Sequence, residues 1–138
     1  MKQGIKIAIA IIFILSLGSP VFARSRGLVE FFNAPPEPRL MYPTGETVIL
    51  TGKDFLEFKW WISGFIDIDY YDFRLYKGYN MYASNLIFKQ RLPANTFSIK
   101  IKSSLFEDGQ VYTWALRQIV YSGEKSDPSF DSFKIIKK

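Results

Sequence analysis

From residue 40 onward, apolar and polar residues alternate in short runs, each closed by Gly, Pro, Asn, Asp or Ser, and this pattern predicts β-strands. Leu56, Phe58, Trp60 and Ile62 alternate with Glu57, Lys59 and Trp61, which buries one face of a strand and turns Trp61 to the other. Tyr71, Phe73 and Leu75 alternate in the same way with Asp72, Arg74 and Tyr76, and Phe97, Ile99 and Ile101 with Ser98, Lys100 and Lys102. Tyr112, Trp114 and Leu116 form the inward set of a long strand reaching about Tyr121, and Phe133 and Ile135 that of the last strand. Residues 40–42, 47–50 and 86–90 are shorter candidates, and helix signals are nearly missing. Short strands at this spacing predict an all-β domain, a two-sheet sandwich of about seven strands whose core is built from alternating inward residues.

The first part of the chain follows a different pattern. Lys2 and Lys6 precede an apolar run over residues 7–17, then Gly18, Ser19 and Pro20, then Val21, Phe22 and Ala23. That order predicts a secretory signal peptide over 1–23, and the run is shorter than the roughly 20 apolar residues a membrane-spanning helix needs. Residues 24–37 read as an extended, solvated lead-in containing most of the Pro-rich stretch 34–38, because proline withholds a donor from any sheet. Within it, residues 28–32 are apolar enough for a short strand or a docking segment. The sandwich then occupies 38–138, and no membrane span is expected after cleavage.

Charge and cysteine usage narrow the setting. Removing residues 1–23 with their two lysines takes the formal net charge from +5 to +3, too weak a bias for nucleic acid. Lys134, Lys137 and Lys138 are expected to form a solvated tail. An exported chain without cysteine has neither disulfides nor a lipid-attachment thiol, which favours a bacterial periplasmic or extracellular location.

The residue inventory is poor in catalytic chemistry. No histidine and no cysteine occur, so the usual general base near neutral pH, the zinc ligands and the thiolate nucleophile are all missing. Ser122-Gly123-Glu124-Lys125 has a nucleophile-and-lysine offset but reads as a hairpin turn. Asp67, Asp69 and Asp72 are either solvated loop acids or two carboxylates directed at a calcium ion, and no opposing acid makes the pair glycoside hydrolysis requires. The expectation is a protein that is not an enzyme, with no cofactor and no metal site.

Beyond these patterns the chain carries a resemblance. Pro38-Arg39-Leu40-Met41-Tyr42-Pro43 with Gly45 and Val48, then Leu56-Glu57-Phe58-Lys59-Trp60, then Tyr71-Asp72-Phe73-Arg74-Leu75, resembles the first half of bacterial fibronectin type III-like domains. Leu105, Gly109 and Tyr112-Thr113-Trp114-Ala115-Leu116-Arg117, followed by Gly123, Ser126 and Ser129-Phe130-Asp131-Ser132-Phe133, resemble its second half. The resemblance implies an immunoglobulin-like topology with Trp60 as a core tryptophan and Tyr112 near the tyrosine corner, the spacing from Leu105 being one residue longer than the family pattern. It implies no catalytic residues.

Aromatic residues make up 17% of the chain, more than the inward positions use. Trp61, Phe65, Tyr70, Tyr76, Tyr79 and Tyr82 fall outside them. Trp61 and Tyr76 on outward strand positions, with Tyr79 and Tyr82 in the loop that follows, are the candidate binding residues, expected to form one exposed patch for a protein partner or, alternatively, for stacking on a glycan. The same rings also suit plain packing over the sheets. The function expected is therefore an exported, non-catalytic interaction or structural module of a bacterial envelope or secreted assembly, with a carbohydrate-binding module as the alternative.

Overall fold

A computed structural model describes residues 35–64 and 67–138. The expected signal peptide, residues 28–32 and Phe65 lie outside them. Eight strands form, β1 (Arg39–Tyr42), β2 (Thr47–Ile49), β3 (Phe55–Trp61), β4 (Ile68–Lys77), β5 (Leu86–Pro93), β6 (Ser98–Lys102), β7 (Val111–Val120) and β8 (Ser129–Ile136). They build a three-stranded sheet in the order β1-β3-β6 and a five-stranded sheet in the order β2-β8-β7-β4-β5. The described residues contain no α-helix, only single 3-10 turns at Ala83–Asn85 and Ser103–Leu105.

The alternation seen in the sequence is what places the core. Leu56, Phe58 and Trp60 of β3 face Tyr71, Phe73 and Leu75 of β4 and Trp114 and Leu116 of β7, all buried in one continuous cluster. Phe58 is its hub, with Phe73 at 5.2 Å, Trp114 at 5.1 Å and Phe133 at 5.6 Å between ring centroids, all edge-on. Edge-on packing sets the positive rim of one ring against the negative face of the next.

Two polar anchors tie connecting segments to this core. Near the start of the chain, β1 pairs with β3 and β2 runs parallel to β8, so the chain changes sheets between them. The Trp114 indole donates to the Pro43 carbonyl at that crossing, 2.8 Å away and buried. Gln118 of β7 is fully buried; its side-chain amide donates to the Pro36 carbonyl at 2.8 Å and accepts from the Ser63 N–H at 3.2 Å.

Three local expectations meet the structure differently. The Pro-rich stretch is not solvated throughout, since its last residue, Pro38, is buried and its carbonyl accepts from the Ser129 hydroxyl. Lys137 is no free tail; its ammonium donates to the Ser103 and Phe106 carbonyls at 2.9 and 3.0 Å, capping that turn. Ser122 to Lys125 does form a hairpin turn, with Gly123 at a φ of +87° and the Val120 N–H donating to the Glu124 carbonyl.

Tyr112 completes a tyrosine corner, its hydroxyl accepting from the Glu107 N–H at 2.8 Å. Burial holds the phenols of Tyr42, Tyr71 and Tyr112 above their ordinary pKa. Glu46 adds to the effect at Tyr42, whereas the Glu107 hydrogen bond opposes it at Tyr112. The Trp60 indole opposes part of the rise at Tyr71 but falls short of hydrogen-bond geometry. These phenols ionise less readily folded than unfolded, so the stability they confer is complete below about pH 10 and is lost as pH rises beyond it. The chemical-unfolding midpoint is expected to hold through neutral pH and to fall above about pH 10, and a midpoint that stayed flat there would contradict it.

Candidate functional site

Of the four residues expected to form one patch, the structure exposes three and separates them. Trp61 is 55% exposed, Tyr79 72% and Tyr82 67%, whereas Tyr76 is only 6% exposed. The expectation for Tyr76 is therefore corrected. It stands on the outward face of β4, opposite Thr113 of β7 and Leu86 of β5, and shares its surroundings with Met81, Arg74 and Ala115. The β4–β5 register slips between Leu75 and Tyr76, and Met81, from the segment between β4 and β5, lies beside the ring. Alternation identifies a face; it does not say whether a later loop folds over it.

The single patch is corrected as well. Trp61 ends β3, just before β4 begins, while Tyr79 and Tyr82 follow the end of β4. Ten residues of strand, Ile68–Lys77, lie between those ends, about 30 Å at the usual rise, and β3 belongs to the other sheet. Tyr79 and Tyr82 occupy a loop braced by the Asn85 amide donating to the Asn80 carbonyl at 3.2 Å. Changing both to serine is expected to leave the unfolding midpoint within about 1 kcal/mol of the parent. A larger loss in chemical unfolding would place them in the core.

Trp61 lies in a built setting. The outer face of the three-stranded sheet carries a cleft of about 430 Å³ lined chiefly by Trp61, Phe97, Met41, Arg39, Glu57 and Lys59. Phe97, expected as a plain inward residue, is half-buried just before β6, with Tyr71 at 6.5 Å and Trp61 at 4.6 Å. The Trp61 and Phe97 rings are inclined at only 31° with centroids 4.6 Å apart, so Phe97 packs against one face of Trp61 and braces it as the aromatic floor of the cleft. Met41, 52% exposed, adds apolar surface, and Arg39 sits directly across the ladder from Trp61. Lys59 pairs with Glu57 at 3.3 Å. Nothing local in the sequence marks Met41, Phe97 and Arg39 as site residues, because only the folding of the sheet gathers them beside Trp61.

Asp72 is held by the Arg74 guanidinium at 3.1 Å, an interaction that raises the arginine pKa further. Among the described residues no group of three acidic side chains is placed to share a metal ion. Arg91 stacks on Tyr70, 3.5 Å from the ring centroid, which accounts for that outward tyrosine. No helix of the described residues is long and apolar enough to cross a membrane.

No family model matches the sequence, and no curated protein matches it. Solved structures do. The chain is similar to the fibronectin(III)-like modules of Clostridium thermocellum CbhA, at 15% identity and a TM-score of 0.52, over 72% of this chain and 97% of that one. It is also similar to the Clostridium perfringens spore cortex lytic enzyme SleM, at 16% identity and a TM-score of 0.51, over 73% of this chain. There it spans 28% of the longer protein. The fold is thus a fibronectin type III-like β-sandwich, as the resemblance implied.

Proposed function

We propose that the chain is an exported, non-catalytic binding module whose contact surface is the outer face of the three-stranded sheet, centred on Trp61. The observation that carries this reading is a tryptophan 55% exposed, laid against Phe97 over an open apolar cleft. Folding does not require a ring there, whereas Trp and Tyr supply large contact area at small entropic cost when they meet a ligand or partner. The absence of histidine and cysteine from the whole sequence supports a binding role over a catalytic one. So does the similarity to fibronectin(III)-like modules, which extends to 97% of that chain.

Export rests on the pattern of residues 1–23, with its basic start, short apolar run and small residue at Ala23. Residues 24–37 then precede the sandwich. Mass spectrometry of the protein from its own cells should find Arg24 first, and Met1 intact in a membrane fraction would refute export. For the contact surface, Trp61→Ala should abolish retention of whatever the parent protein retains on a glycan array or from native extracts. Retention unchanged by Trp61→Ala would move the contact elsewhere, the Tyr79–Tyr82 loop being the next surface to vary. The array also separates a glycan ligand from a protein partner.

A further inference from the structure

The charges around the aromatic floor narrow the ligand, given that the Trp61 face is the contact surface. Strand pairing sets Arg39 opposite Trp61, Lys100 opposite Glu57 and Lys102 opposite Phe55. Antiparallel partners project to the same side of a sheet, so Arg39, Lys59, Lys100 and Lys102 share the outer face with Glu57, the single acid of β1, β3 and β6. Glu57 is engaged by Lys59. Among the described residues, Arg39, Lys100 and Lys102 have no ion-pair partner.

The cations are strung out, not clustered. Same-face positions along a strand lie about 7 Å apart, so the row from Trp61 and Arg39 to Phe55 and Lys102 runs about 20 Å. Phe55, 48% exposed, closes the far end of the row. A small anion would meet one of these charges. An extended polymer with an anionic group on successive units would meet them in turn, and repulsion among the unpaired cations favours such a ligand over a neutral one.

The aromatic floor decides the type of polymer. Trp61 offers an open ring face beside hydrogen-bonding charges, an arrangement suited to the C–H face of a sugar ring whose carboxylate lies at the ring's rim. An acidic peptide brings the charges but no ring to lie on the indole at each repeat. We infer that this face binds an acidic polysaccharide, with one sugar ring stacked on the face of Trp61 that Phe97 leaves open and the carboxylates of neighbouring units paired with Arg39, Lys100 and Lys102.

Trp60 and Trp114 are 1% and 0% exposed, so ligand-induced changes in tryptophan emission report chiefly on Trp61. Protein purified after expression of the full chain is titrated with polygalacturonate, with its fully methyl-esterified counterpart and with polyglutamate. Polygalacturonate is expected to shift the emission and to bind more weakly as salt rises, because the contacts are exposed. The methyl ester and polyglutamate should each bind at least about tenfold more weakly, as expected when a site loses either its charge pairing or its stacking partner. Trp61→Ala, followed by retention of labelled polymer, and the triple variant Arg39→Gln, Lys100→Gln, Lys102→Gln should show losses of the same order. Equal binding of the methyl ester would overturn the acidic part, and equal binding of polyglutamate would overturn the sugar. No binding of polygalacturonate alongside a partner that still depends on Trp61 would overturn this inference while leaving the contact surface intact. Polygalacturonate binding that survives Trp61→Ala unchanged would overturn both.

Discussion

Trp114→Ala is expected to cost about 3 to 5 kcal/mol of unfolding free energy, the range for emptying a large buried aromatic site. Trp114 is completely buried against Phe58 and Phe73, at 5.1 and 5.9 Å between centroids, so alanine leaves a cavity at the centre of the aromatic cluster. Its indole N–H also serves the Pro43 carbonyl, buried where the chain passes from one sheet to the other. Alanine therefore removes packing and leaves a buried acceptor without its donor, and the two losses act in the same direction. Trp114→Phe separates them. It keeps an aromatic ring but not the donor, and should still cost about 1 to 3 kcal/mol. Trp60→Phe is the control, because among the described residues the Trp60 indole nitrogen has no hydrogen-bond partner to lose. Urea unfolding that gave the two phenylalanine variants equal losses would show that the bond to Pro43 adds no net stability.

What could be seen in the sequence, and what could not, divides along the range of the interactions. Alternation in β3, β4 and β7 is a property of neighbouring residues, and it placed Phe58, Trp60, Phe73, Trp114 and Leu116 correctly in the core. The exposure of Trp61, Tyr79 and Tyr82 was legible for the same reason. The burial of Tyr76 was not, because it depends on neighbours outside its own strand, Ala115 of β7 and Met81 among them, and on a register slip against β5. Nor could local pattern show that β1 and β2 belong to different sheets, which is a matter of partners some 20 and 90 residues away. The separation of Trp61 from the Tyr79–Tyr82 loop was latent in the length of β4, but only once β3 was known to lie in the opposite sheet. The tyrosine corner forms despite its longer spacing, with Tyr112 reaching Glu107 across a turn through Gly109, where φ is +76°. The cleft at Trp61 joins residues of β1 and β3 with Phe97 beside β6, so no window of sequence contains it.

Adjacent tryptophans give the sharpest test of that reading of β3. Trp60→Ala is expected to cost about 3 to 5 kcal/mol, since its ring is 1% exposed and meets Tyr71 edge-on at 5.6 Å. Trp61→Ala should cost about 1 kcal/mol or less, because its ring lies on the surface and gives up mainly its contact with Phe97. One step along a strand turns a side chain to the opposite face, so two identical residues differ in energy only through what that face touches. Equal losses in chemical unfolding would mean that Trp61 is part of the core and would take the binding surface with it. The contrast should also appear in function, with Trp61→Ala folded but unable to retain its ligand. Trp60→Ala, in turn, should lose binding only in proportion to the fraction of molecules that unfold.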